Sequence, residues 1–124
     1  MKEIVVVFLG GGLGTVFRYW LSGSVFRFVR PTFPYGILLV NTIGCLLIGV
    51  LMTVFEDRFV VHPLLRIFLT IGVLGGFTTF STFSYETISL FREGSTLLAI
   101  ANIFFSVAGC LIATWIGTLI GKLL

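Results

Sequence analysis

The chain alternates long apolar runs with short polar interruptions, and the lengths of the runs set the architecture. Four stretches are long enough to cross a bilayer, which takes about 20 apolar residues at a helical rise of 1.5 Å each. They fall at about 4–26, 35–55, 65–91 and 95–121. The first contains one charge, Arg18; the second and fourth contain none; the third carries Arg66 at its edge and Glu86 inside. Together they take up 98 of 124 positions, so the pattern predicts a single all-α domain of four transmembrane helices with short connections. All three prolines, Pro31, Pro34 and Pro63, stand in the connections and punctuate helix ends.

Composition sharpens this. Only 10% of the residues are charged and 57% are hydrophobic, against about 25% charged in soluble domains. With a mean hydropathy of +1.15, a soluble enzyme and a disordered chain are both excluded. The net charge of +3 is scattered over span ends, where cations sit at headgroup level, and does not form a nucleic-acid footprint. The start, Met1-Lys2-Glu3, lacks the basic region and cleavage site of a secretory signal, so the first span is expected to stay. Cys45 and Cys110 lie within spans and read as small buried hydrophobes rather than a disulfide.

Loop cations normally fix orientation, but here they do not. One side has Lys2, Arg58, Arg66 and Lys122; the other has Arg27, Arg30 and Arg92, with Arg18 if it reaches its nearer interface. Either the rule is noisy in so small a protein, or the chain inserts both ways and pairs as an antiparallel dimer.

Glycines at Gly10/Gly14, Gly72/Gly76 and Gly117/Gly121 share the small-xxx-small spacing, which lets helix backbones approach closely in lipid. Arg18 is placed either to snorkel to an interface or to draw an anion into a vestibule. Asn41, beside Thr42, is the strongly polar residue of the second span; it serves as interhelical glue or as an amide donor. Around the midpoint of the third span runs Gly75-Gly76-Phe77-Thr78-Thr79-Phe80-Ser81-Thr82-Phe83-Ser84. Two glycines followed by hydroxyl and β-branched residues make a poor helix, which predicts a break near the membrane centre. Such backbone survives there only if buried or facing a wet cavity; the alternative is an intact helix whose hydroxyls bond back to carbonyls one turn earlier. Phe77, Phe80 and Phe83 recur every three residues and either pack a core or turn positive ring edges to an anion. Glu86 is a proton carrier or a surface-proximal group.

In the fourth span Asn102, Ser106, Cys110, Thr114 and Thr118 follow each other by four and so share a helix face. One thin polar stripe across the bilayer favours a lined pathway over packing alone. A proton-coupled drug exporter would want a carboxylate deep in the first span, and none is there beyond Glu3; a non-transporting assembly subunit would leave the stripe without a role. No phosphate-binding glycine loop is present, and His62 stands alone beside Pro63.

The run from Gly75 to Thr87, with Val40-Asn41 and Gly44 and with Gly10/Gly14 followed by Arg18, resembles the signature of the Fluc (CrcB) family of fluoride channels, and the likeness covers all four spans. The resemblance implies an antiparallel, dual-topology homodimer in a bacterial inner membrane. It implies two passive fluoride pores that let fluoride leave the cytoplasm, and no catalysis. It further implies a structural, untransported Na⁺ held by the backbone carbonyls of Gly75 and Thr78 from both subunits. The fluoride pathway it implies runs past Phe80 and Phe83 ring edges, Ser81 and Thr82 hydroxyls and the Asn41 amide. Glu86 stands toward a mouth, Arg18 belongs to the same set, and Asn102, Ser106 and Thr114 match the family's polar track. Asn102 stands where the family pattern has tyrosine, and Cys110 where it has serine.

Overall fold

A computed structural model describes residues 1–29, 32–57 and 60–124; the expectations placed on Arg30, Pro31 and Arg58 lie outside the described residues. The described residues are helical apart from short connections, in the order expected. Helix α1 covers Lys2–Phe28, α2 covers Tyr35–Asp57, and α6 covers Thr96–Leu123. The third span is composite. It opens as α3 (Pro63–Ile67), widens into a π-helical segment (Phe68–Leu74), closes as α4 (Gly75–Phe77), and resumes as α5 (Phe80–Arg92). Each span runs a residue or two past its apolar stretch, because helices continue into the interfacial zone after hydrophobicity stops.

Local chemistry sets these ends. Pro63 occupies the first turn of α3, where its missing N–H costs nothing. His62, isolated in the sequence, caps that turn: its Nδ1 accepts from the Leu64 N–H at 3.2 Å. Gly94, at φ 79°, makes the turn between α5 and α6, a left-handed conformation that a side chain would strain.

The glycine pairs do pack helices, and the structure supplies their partners. α1 lies against the π-helical segment and α4. A Cβ on Gly10 would stand 2.7 Å from the Phe68 carbonyl, and one on Gly14 would collide with the Val73 carbonyl and the Phe77 N–H. Gly10/Gly14 and Gly72/Gly76 are therefore two sides of one seam. α2 and α6 form the second seam, with Gly49 against the Thr114 carbonyl, Gly117 against the Leu46 carbonyl and Gly121 against Thr53. Gly109 faces Thr42 at one end of this seam and Gly121 faces Thr53 at the other, so α2 and α6 run parallel.

These contacts bury little. Of the most apolar stretch of each span, 11% to 28% is buried, and Phe8, Trp20, Phe80, Phe104 and Trp115 are exposed. In water this surface would be prohibitive; four such spans make a multi-pass membrane protein.

Candidate ion pathway at the helix break

The third span is interrupted where the glycines and hydroxyls predict. Thr78 (φ −85°, ψ 156°) and Thr79 (φ −151°, ψ 121°) are extended between α4 and α5. A break deep in the spans strands backbone groups, and each unsatisfied one in hydrocarbon costs several kcal/mol. Two neighbouring helices satisfy them.

From α2, the Asn41 side chain clasps Thr79 at both ends: its Nδ2 donates to the Thr79 carbonyl at 2.9 Å, and its Oδ1 accepts the Thr79 N–H at 2.8 Å. From α1, Arg18 Nη1 donates to the Thr78 carbonyl at 3.2 Å. The guanidinium thus sits at the carbonyl end of α4, where the helix dipole favours a cation. Arg18 is half-buried against the break, with this carbonyl as a partner. The Asn41 amide is engaged as glue, and its second N–H hydrogen remains as a donor. Thr78 also folds its hydroxyl back to the Leu74 carbonyl at 2.9 Å, the back-bonding expected of an intact helix but here at the end of one half. Gly44 on α2 leaves room for this residue: a Cβ there would collide with the Thr78 methyl.

Thr79 is the residue that sequence reasoning undervalued. It caps α5, accepting from the Thr82 N–H at 3.3 Å, and its hydroxyl contacts the hydroxyls of Ser81 at 3.3 Å and Thr82 at 3.1 Å. A threonine just before a helical run is an N-cap signal, so it was legible once the break was placed. Ser81 and Thr82 are therefore gathered around Thr79 rather than lining a wall independently.

The break opens on a cavity of about 440 Å³ between α2, the third span and α6. Asn41, Gly75, Thr78, Phe80, Phe83 and Ser106 all contribute to its wall. The phenylalanine stripe divides, because the break changes its phase. Phe77 is buried in the helix seams and Phe83 is buried on the cavity side, while Phe80 is 77% exposed. The Phe80 and Phe83 rings still meet, tilted, with centroids 5.4 Å apart.

The α6 stripe divides too. Asn102 is 1% exposed and donates Nδ2 to the Thr87 hydroxyl at 2.9 Å; Thr87 in turn donates to the Phe83 carbonyl at 2.8 Å. Ser106 donates to Asn102 Oδ1 at 3.4 Å and reaches the cavity. Thr114 lies in the seam with α2 through its carbonyl, and Thr118 bonds back to the Trp115 carbonyl at 2.6 Å. Of the stripe, then, Ser106 and Cys110 line the cavity, Asn102 ties α6 to α5, and Thr114 lies outside the cavity wall. Thr87 was missed as a partner; nothing in its spacing singles it out. Glu86 is half-buried beside a second cavity of about 190 Å³ that Glu93 also lines, and its Oε2 is buried without a hydrogen-bond partner among the described residues.

The carbonyls expected to hold a cation fit that chemistry as hard oxygen donors. The Thr79 N–H, which in a continuous helix would reach Gly75, is turned to Asn41, so the Gly75 carbonyl is left without its next-turn donor. Thr78 offers a carbonyl with one of its two lone pairs directed to Arg18. Among the described residues no group of three or more His, Cys, Asp or Glu side chains could hold a metal.

Comparison with known proteins agrees with this layout. The family model described as CrcB-like protein, Camphor Resistance (CrcB), matches residues 5–118. The chain is 47% identical to the fluoride-specific ion channel FluC of Citrifermentans bemidjiense and 47% identical to that of Geotalea uraniireducens, each over 100% of both chains. It is 48% identical to the FluC of Geotalea daltonii over 94% of both. A family-model match over residues 5–118 and relatives 47% identical along the whole chain identify it as a member of the CrcB family.

Proposed function

We propose that the protein is a fluoride-selective, passive ion channel that lets fluoride leave the cytoplasm and so limits its toxicity. The observation that carries this reading is the clamped break beside a cavity walled by phenyl edges and hydroxyls, in a chain matched end to end by fluoride channels. Fluoride is small and strongly hydrated, so a pore must replace its water with donors. Those on hand are the spare Asn41 N–H, the opening turn of α5 and the edge of Phe83, with the Ser106 hydroxyl joining them once it turns from its long 3.4 Å bond to Asn102. A helix N-terminus favours anions, and a ring edge carries positive charge. Arg18, the one cation deep within a span, sets a favourable potential nearby. Glu86 stands at the second cavity as a mouth group. No bond-making step is called for, so the protein is read as a channel and not an enzyme.

The working unit in this reading is an antiparallel, dual-topology homodimer in the bacterial inner membrane. The near-equal loop cations and the exposed ring of Phe80 support it. Paired copies would bring Gly75 and Thr78 carbonyls from both chains around one structural Na⁺. That ion would neutralise converging carbonyl dipoles and hold the copies in register, and it would not be transported.

The test is halide efflux from liposomes holding the purified protein, read with fluoride and chloride electrodes. Fluoride release that needs a potassium ionophore, with chloride retained, is the expected result. Release that instead follows an imposed proton gradient would overturn passive conduction and make Glu86 the residue to examine.

A further inference from the structure

Cys45 on α2 and Cys110 on α6 are the chain's two cysteines, and both are free. They lie far apart in sequence, yet both line the cavity beside the break. The two thiols are near enough to influence each other electrostatically, with Thr42 close to Cys110 as well. A Cβ on Gly109, next to Cys110, would stand 4.0 Å from the Thr42 hydroxyl, so α6 meets α2 at the level of the two cysteines.

We infer that Cys45 and Cys110 form a two-thiol site for one thiophilic, two-coordinate divalent d¹⁰ cation, of which Hg²⁺ is the type. Three physical points select that class. Soft thiolate sulfur prefers soft cations. A dication bound by two thiolates is neutral, so it carries no net charge into an apolar, low-dielectric wall; a monovalent soft cation would leave a net negative charge there. Among the described residues no third acidic, histidine or cysteine ligand joins the pair, which leaves Zn²⁺ short of its tetrahedral set. The reaction balances without any oxidant. Each thiol gives its proton to water and forms one sulfur–mercury bond, two chlorides leave HgCl₂, and mercury stays divalent. The site stands on thiol geometry alone; its effect on conduction rests on the proposed channel function.

Purified protein titrated with HgCl₂ tests the site. The expected result is loss of both free thiols at one equivalent per chain, with an intact mass raised by one mercury less two protons. The bound ion should survive washing with excess monothiol about 10²-fold longer than in Cys45→Ser or Cys110→Ser, because the second bond is intramolecular. Two mercury ions per chain, half an ion per chain, or equal retention in the single variants would each overturn the chelate, and the wild-type stoichiometry decides even if a variant fails to fold. In liposomes, one equivalent should stop fluoride efflux in the wild type and leave each variant's own flux less sensitive. One-to-one binding with unchanged fluoride efflux would instead remove the cavity from the conduction path and leave the thiol site standing.

Discussion

Replacing Asn41 with leucine, close to it in size, removes both contacts that hold the break. The Thr79 N–H then loses its partner in a place where Thr79 is 8% exposed. An orphaned buried N–H costs about 1–3 kcal/mol, and the lost amide-to-carbonyl bond between helices adds about 0.6–1.7. The Thr79 carbonyl keeps the first intrahelical bond of α5, as an N-cap carbonyl does. The sum, about 1.6–4.7 kcal/mol, shifts the population holding the present break by roughly 15- to 3,000-fold. The Thr79 N–H has one refuge, the Gly75 carbonyl a turn earlier, and taking it would anneal α4 to α5 and close the cavity mouth. Hydrogen exchange at Thr79–Ser81 together with fluoride efflux reads this out: Asn41→Leu should alter protection at Thr79 and lose most flux. Asn41→Asp separates the clamp from simple repulsion. Its carboxylate still accepts the Thr79 N–H but turns an acceptor on the Thr79 carbonyl, so it should keep the Thr79 amide protected while flux falls. Wild-type exchange and wild-type flux in Asn41→Leu would refute the clamp.

Further outcomes are expected of other positions. Phe83→Ile and Phe80→Ile should each sharply reduce fluoride flux with the fold intact, since both rings wall the cavity; unchanged flux in either removes that ring from the path. Gly14→Ala drives a methyl into the Val73 carbonyl and the Phe77 N–H and should lower thermal stability in detergent by about 1–3 kcal/mol. Gly12→Ala, with nothing within 4 Å, is its control and should hold stability or raise it by up to about 1 kcal/mol through helix propensity. Asn102→Leu breaks the bond to Thr87 and should cost about 1 kcal/mol, a loss that Thr87→Val should not increase additively; full additivity in denaturation would show that the pair does not interact.

Much of this molecule was legible because lipid imposes simple rules. A span must be apolar for about 20 residues, so its limits are written in the chain. Gly75-Gly76 followed by Thr78-Thr79 marks a weak point that no neighbour has to announce, and the break falls there. The glycine pairs were equally plain as close-approach surfaces, because only a missing Cβ permits the contact. Less plain was what each polar residue does. Arg18 and Asn41 each admitted two readings, and neither reading named their partner, one backbone segment some 38 to 60 residues away. The regular spacing of α6 promised one continuous track, yet its five residues went to the cavity, to α5, to the α2 seam and back to their own helix.

Sequence by itself therefore determined the solvent, the number of spans, the place of the break and the seams along which helices touch, since each follows from local composition or from a side chain's absence. Only the tertiary structure decided which helix completes the broken backbone, which phenylalanines wall the cavity and which hydroxyls reach it. Those outcomes depend on pairing a stranded N–H or carbonyl with a donor or acceptor from another helix, and a period along one chain holds no record of such a partner.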